Sequence, residues 1–191
     1  MDDDNRTSVE QSERVVIFDI ETQKNHEDVG GWQNRKDMLL SFAVVYDSST
    51  QETSIYSERE VHRLIEHLKS ADIIVGYGIH LFDYTVLSNY TDYDFTAGRL
   101  SIDILEEIQS EYGKRVKLST VASATLNIKQ QESDGLQAVQ WFKDGENDKI
   151  MEYCMEDVSM LKDIFRFAVN NGYLNTLDEH GNIERFAIDL V

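Results

Sequence analysis

The chain contains no proline, where ordinary usage of about 5% would place roughly nine. No helix end here can therefore be set by a proline ring, and the absence itself suggests no function. A single cysteine, Cys154, excludes an intrachain disulfide and fits a reducing, cytoplasmic setting. No apolar run approaches the roughly 20 residues of a membrane span, which excludes a transmembrane helix. Residues 1–14 are polar and acidic and lack the apolar stretch of a signal peptide, so they are expected as a disordered lead-in. Positive charge is also scarce. Eighteen Lys and Arg face 36 Asp and Glu, for a formal net charge of −18. A field of that sign opposes casual binding to nucleic acid or to an anionic membrane, and favours cations.

What remains is ordinary for a soluble protein. The 191 residues, 41% hydrophobic and 28% charged, suit one domain with a sizeable core, expected over residues 15–191. No internal repeat and no linker divides the chain.

The stretch Val15-Val16-Ile17-Phe18-Asp19-Ile20-Glu21-Thr22 organises the rest. Its apolar run reads as a strand buried on both faces, in the middle of a sheet. Side chains alternate along a strand, so Asp19 and Glu21 project from one face. Adjacent like charges repel unless a cation lies between them, and a hard divalent ion takes carboxylate oxygens well. Taken alone, the pair favours a strand end running into solvent, and the case for a metal depends on further carboxylates downstream.

Downstream, residues 23–37 read as a polar loop with Gly30-Gly31. Strands over 38–46 and 53–56 around a turn at 47–50 predict an antiparallel hairpin. Ser57-Glu58-Arg59-Glu60 fits a capping box, and Val61, Leu64, Ile65 and Leu68 then mark one helix face. His62 and His67 are expected on its solvent side. A buried strand at 71–77 can pair parallel to the first. A helix over 81–90, a strand over 100–105, a helix through Tyr112 and a helix over 118–127 follow, then a polar loop over 128–135 and a helix over 136–142. Lys114, Arg115 and Lys117 could form a strand-binding patch, though a solvated loop is the simpler reading. A long helix over 147–171 carries the stripe Ile150, Cys154, Val158, Leu161, Ile164, Phe165 and Ala168, with Gly172 as its stop. The tail from Leu174 reads as a hairpin. The whole describes an α/β domain with a mixed sheet flanked by helices.

Three further acids matter. Asp83 stands where a strand, a glycine-containing turn and the first turn of a helix meet, so helix capping is an alternative to a functional role. Asp157 lies mid-helix beside the apolar stripe, and an unpaired buried carboxylate is costly. Tyr153, four residues earlier, shares its face. A tyrosine hydrogen-bonding an acid in the core would explain this pair without any function. Asp103 ends a strand and reads as a supporting or structural residue rather than a ligand.

Together, Phe18-Asp19-Ile20-Glu21-Thr22, the segment Gly76-Tyr77-Gly78-Ile79-His80-Leu81-Phe82-Asp83-Tyr84, and Tyr153-Cys154-Met155-Glu156-Asp157 resemble, in order, the three motifs of the DEDD (DnaQ-like) 3′–5′ exonucleases in their tyrosine-bearing DEDDy form. The second motif is most similar to B-family polymerase proofreading domains and to stand-alone predicted exonucleases. The resemblance runs from Val15 to about Tyr173. It implies a ribonuclease-H-like fold and two ions, Mg²⁺ or Mn²⁺, held by Asp19, Glu21, Asp83 and Asp157. It also implies a water oriented by Tyr153, since an unperturbed phenol is a poor base at neutral pH. The substrate implied is single-stranded DNA or RNA. A protein partner with a basic surface would offset the chain's acidity. Where the family has an asparagine that contacts substrate, this sequence has Gly78, so a slow nuclease is expected. The main alternative is an exonuclease-like domain that binds nucleic acid without turnover. A receiver-type signalling domain is disfavoured by the Tyr153–Asp157 pair and by the hairpin that follows the first strand.

Overall fold

The computed structural model describes residues 13–97, 100–128 and 135–190. The expected lead-in over 1–14 and the expected loop over 128–135 fall largely outside them. Seven strands and six α-helices follow one another along the described chain. They are β1 (Val15–Thr22), β2 (Leu40–Asp47), β3 (Glu52–Ser57), α1 (Val61–Lys69), β4 (Ile73–Gly76), α2 (Asp83–Leu87), β5 (Leu100–Asp103), α3 (Ile104–Tyr112), α4 (Leu118–Leu126), α5 (Gly135–Asp144), α6 (Asn147–Asn171), β6 (Tyr173–Leu177) and β7 (Ile183–Ala187). β1 lies at the centre of a five-stranded sheet ordered β3-β2-β1-β4-β5. β2 runs antiparallel to β1 and β3 antiparallel to β2, whereas β4 and β5 run parallel to β1. The sheet is mixed, as the hairpin and the crossovers predict.

Alternation along β1 divides the core in two. Val16, Phe18 and Ile20 face α1 and α2, where Leu64, Leu68, Val86 and Leu87 are fully buried. Ile17 points the other way, into a cluster with Val121, Leu161, Ile164 and Leu174. Asp19 and Glu21 follow Ile17 in parity, so they emerge on the side that α6 covers. A register shift between Glu21 and Thr22 breaks the β1–β2 ladder just beyond the two acids. Bulges of this kind re-aim side chains at the end of a strand.

Some elements differ from the sequence-based expectation. The loop over 23–37 ends in a 3-10 helix, Trp32–Met38, that buries Met38. The capping box forms, with the Ser57 amide donating to Glu60, but the turn it starts is 3-10 before α1 begins. The helix predicted over 81–90 contracts to α2. The Gly78 and His80 amides donate to the Asp103 carboxylate at 2.7 and 3.0 Å, so the turn before α2 is shaped by a residue on β5. Asp103 also caps α3 through the amides of Leu105 and Glu106.

His67 is the plainest correction. It is not on the solvent side but half-buried, with Nε2 2.9 Å from Asp47 and Nδ1 2.8 Å from the Tyr56 hydroxyl. Its place beside Leu68 lets the ring reach the hairpin that α1 covers. Burial alone would raise Asp47. Hydrogen bonds from Arg14, Ser49 and His67 outweigh it and hold the carboxyl well below its ordinary range. A carboxyl depressed on folding stabilises fully above its unfolded pKa of about 3.9, and that stabilisation fades as pH falls through the folded value. Asp47→Asn is expected to lower stability at neutral pH by about 1.5–3 kcal/mol, the worth of a hydrogen bond to a charged group. The gap from wild type should narrow below about pH 4. Urea titrations at neutral and acidic pH measure both, and a gap that does not change with pH would assign the loss to packing instead of charge.

Candidate active site

Strand parity and helix periodicity meet beyond the end of β1. One oxygen each from Asp19, Glu21 and Asp157 can lie within 4.8 Å of the others. Asp19 and Glu21 come from the α6-facing side of β1, and Asp157 from the turn of α6 that packs over it. Cys154, one turn earlier, is fully buried against Val44, and its thiol lies 3.4 Å from Asp19 Oδ2. Asp83, at the start of α2, stands outside this trio but is itself only 3% exposed.

The charges are strongly coupled. Burial pushes Asp19 well above the usual carboxylate range, and Glu21, Asp157 and Asp83 push it further, against a hydrogen bond from Cys154. Burial also raises Glu21, with Asp157 and Asp83 adding to it. Asp83 is pushed up to about 8, mainly by burial, with Asp103 adding to it and the backbone amides of Asp83 and Ile20 opposing. Asp157 rises to about 6 through burial, offset by the Tyr153 hydroxyl beside it. Burial and the nearby carboxylates raise Tyr153, so its phenol keeps its proton at neutral pH and serves as a donor. The Tyr153 ring meets Trp141 of α5 edge-on, with centroids 6.1 Å apart.

The carboxylates line a cleft of about 590 Å³. Gly78 and Tyr153 line it as well, so every residue singled out for the site opens on one space. Gly78 adopts φ +84°, and its amide is held by Asp103. Arg115 and Lys117, from the loop between α3 and α4, also line the cleft, whereas Lys114 lies over the Tyr112 ring. Asp103 does the supporting work expected of it. Asp103, His80 and Glu106 form a second grouping with potential ligands, but the Asp103 oxygens hold backbone amides. The His80 ring contacts Glu106 and Ser101 through its two nitrogens.

Sequence reasoning missed His26, Trp32 and Arg35 on the β1–β2 loop, all of which line the cleft. A lone tryptophan among glycines and polar residues was the only signal available. Lys143 of α5 pairs with Asp28 at 2.8 Å and ties this loop across the cleft.

The donor set suits hard divalent cations. Every candidate ligand is a carboxylate oxygen, the charges repel one another, and Asp83 Oδ1 is buried with no hydrogen-bond partner among the described residues. Two comparisons bear on this arrangement. The family model of the RNase_H superfamily matches residues 16–169. The structure of the family B DNA polymerase from the hyperthermophilic archaeon Pyrobaculum calidifontis is similar, with a TM-score of 0.66 at 19% identity over 82% of this chain and 24% of that one. At that identity the likeness is one of fold, and the chain spans about a quarter of the polymerase's length. Among curated proteins, nothing matches.

Proposed function

The chain belongs to the RNase_H superfamily, and from that premise we propose that it is a 3′–5′ exonuclease of the DEDDy kind, acting on single-stranded DNA or RNA. The observation that carries this reading is the Asp19–Glu21–Asp157 trio, with Asp83 and the protonated Tyr153 on the same cleft. Asp19, Glu21 and Asp157 would hold one Mg²⁺ or Mn²⁺. Asp83 would hold a second, reached also by Asp19. Bound there, the pair would make a water nucleophilic at neutral pH and neutralise charge on the leaving oxygen of an in-line displacement.

The chain's own groups do the rest. Tyr153, whose hydroxyl donates to Asp157, accepts a hydrogen bond from the attacking water and fixes its direction. Arg115 and Lys117 draw the phosphates toward a cleft whose field is otherwise repulsive. Water adds to phosphorus, the bond to the penultimate 3′-oxygen breaks, and that oxygen takes up a proton as a nucleoside 5′-monophosphate leaves. A protein partner with a basic surface would extend the strand's path. A 5′-labelled single strand, incubated with and without Mn²⁺, tests the proposal. A metal-dependent ladder shortening from the 3′ end is expected. An intact strand would favour the second reading, a domain that binds without turnover, to which Gly78 lends support.

Gly78 gives a separate expectation. A side-chain amide here would lie beside the carboxylates and donate to a phosphate. A hydrogen bond to a charged group is worth about 1.5–3 kcal/mol, so Gly78→Asn is expected to raise kcat/KM by roughly ten- to a hundredfold. The positive φ restricts the choice. L-residues lose roughly 1–2 kcal/mol in this region, and asparagine loses the least after glycine. A Cβ at Gly78 would meet only Leu105, at an ordinary 3.4 Å. Turnover and melting temperature measured together settle the matter. Unchanged or lower activity at unchanged stability sinks the gain of function, and a large loss of stability assigns Gly78 to backbone geometry.

A further inference from the structure

We propose that Trp32, backed by His26 and Arg35, is a platform on which one unpaired nucleobase of the bound strand stacks. The proposal rests on the nuclease reading above and extends it to the class of substrate end that the cleft accepts.

Trp32 is 52% exposed, although large aromatic rings are usually mostly buried. It lies on His26 almost in parallel, with centroids 4.5 Å apart and planes 6° apart. The His26 ring is therefore held by stacking, since its buried Nδ1 has no hydrogen-bond partner among the described residues. The Arg35 guanidinium stands 5.4 Å from the indole centroid and pairs with no carboxylate among the described residues. All three residues line the same cleft as Asp19, Glu21, Asp83 and Asp157.

Charge identifies the occupant. Elsewhere Arg14, Arg63, Lys69, Lys143, Lys149 and Arg166 each pair with a carboxylate. Lys24, Lys36, Arg59, Lys114, Lys162 and Arg185 pair with none among the described residues and lie outside the cleft lining, so location rather than lack of pairing distinguishes the cations of the cleft. Arg35, Arg115 and Lys117 pair with none among the described residues, and they flank the cleft from two sides. On a chain of net charge −18, unpaired cations beside an exposed aromatic ring match a phosphate backbone whose bases have π-faces to offer. Arg35 can swing to a phosphate while a base takes its place over the indole. A paired end keeps its bases stacked within the duplex and offers the platform no face, so the cleft selects strands with unpaired ends.

The test measures binding without turnover. Anisotropy of a 5′-fluorescein oligothymidylate, with Ca²⁺ as the only divalent ion, is recorded for wild type, Trp32→Phe and Trp32→Ala. It is then repeated with a strand whose 3′-terminal residues are abasic. Trp32→Ala is expected to weaken binding of the intact strand by roughly ten- to a hundredfold, and Trp32→Phe to recover most of it. The abasic strand should bind wild type about as weakly as the intact strand binds Trp32→Ala, and losing both partners should cost little more than losing one. The proposal is overturned if the abasic strand loses as much affinity on Trp32→Ala as the intact strand does, or if wild type binds no strand. Should Trp32→Ala fail to fold, Trp32→Phe and the abasic strand on wild type decide, and equal affinity of wild type for the two strands overturns the proposal. A wild type that binds with this pattern yet never cleaves would defeat the exonuclease reading and leave the platform standing.

Discussion

Asp19→Ala is expected to reduce cleavage of a single strand by about a thousandfold or more. Loss of one charge-stabilising group in a water-excluded site already costs 10²–10³-fold, and Asp19 is the acid most closely surrounded by the others. A second readout does not depend on turnover. A cation that binds only the folded chain stabilises it by about 2.7 kcal/mol at a hundredfold excess over its Kd. For a chain of this size that is a rise in melting temperature of roughly 5–10 °C with Mn²⁺. In Asp19→Ala most of that rise should vanish. The metal-free variant should melt no lower than wild type, because one of the repelling charges is gone. Equal Mn²⁺ shifts in wild type and variant would place the ions elsewhere on the acidic surface, and the proposed ligand set would fail.

Tyr153→Phe is expected to separate orientation from metal binding. The phenol is raised by burial and keeps its proton, so it cannot serve as the base that activates water. What it can do is fix the water's position, its oxygen accepting while its hydroxyl proton is donated to Asp157. Removing one hydrogen bond to a charged or developing-charge partner costs about 1.5–3 kcal/mol, or roughly ten- to a hundredfold in turnover. The ring's contact with Trp141 should survive, so the Mn²⁺-induced rise in melting temperature should remain. Single-turnover rates and thermal melts on the same preparation give both numbers. Wild-type rates for Tyr153→Phe would make the residue part of the packing between α5 and α6, and the third motif would lose its tyrosine.

The two readouts also distinguish the exonuclease from a domain that only binds. A binding domain would keep the metal-dependent stabilisation and show no cleavage to lose. Asp157→Asn adds nothing that Asp19→Ala does not already test, because both acids belong to one coupled cluster whose losses do not add.

Local periodicity made most of the fold, and the carboxylate trio itself, legible in the sequence. A strand repeats every two residues, which is why Asp19 and Glu21 had to share a face with Ile17. A helix brings i and i+4 together, which is why Tyr153 had to stand beside Asp157. These relations hold over a few residues and need no tertiary knowledge. The antiparallel β2–β3 pairing followed from the turn after β2, and the parallel β1–β4 pairing from the crossover through α1. Other features depended on partners far along the chain. The Asp103 carboxylate, 25 residues beyond Gly78, accepts from the amides of the turn before α2, in which Gly78 takes a positive φ. Asp47 draws His67 out of solvent from 20 residues away. The β1–β2 loop carries no periodicity, so only its packing over the cleft, tied down by Lys143, shows that Trp32, His26 and Arg35 belong beside the acids. Repeating patterns reveal which face a residue takes. Which residues meet across that face is decided by the packing of whole elements, and no local pattern encodes it.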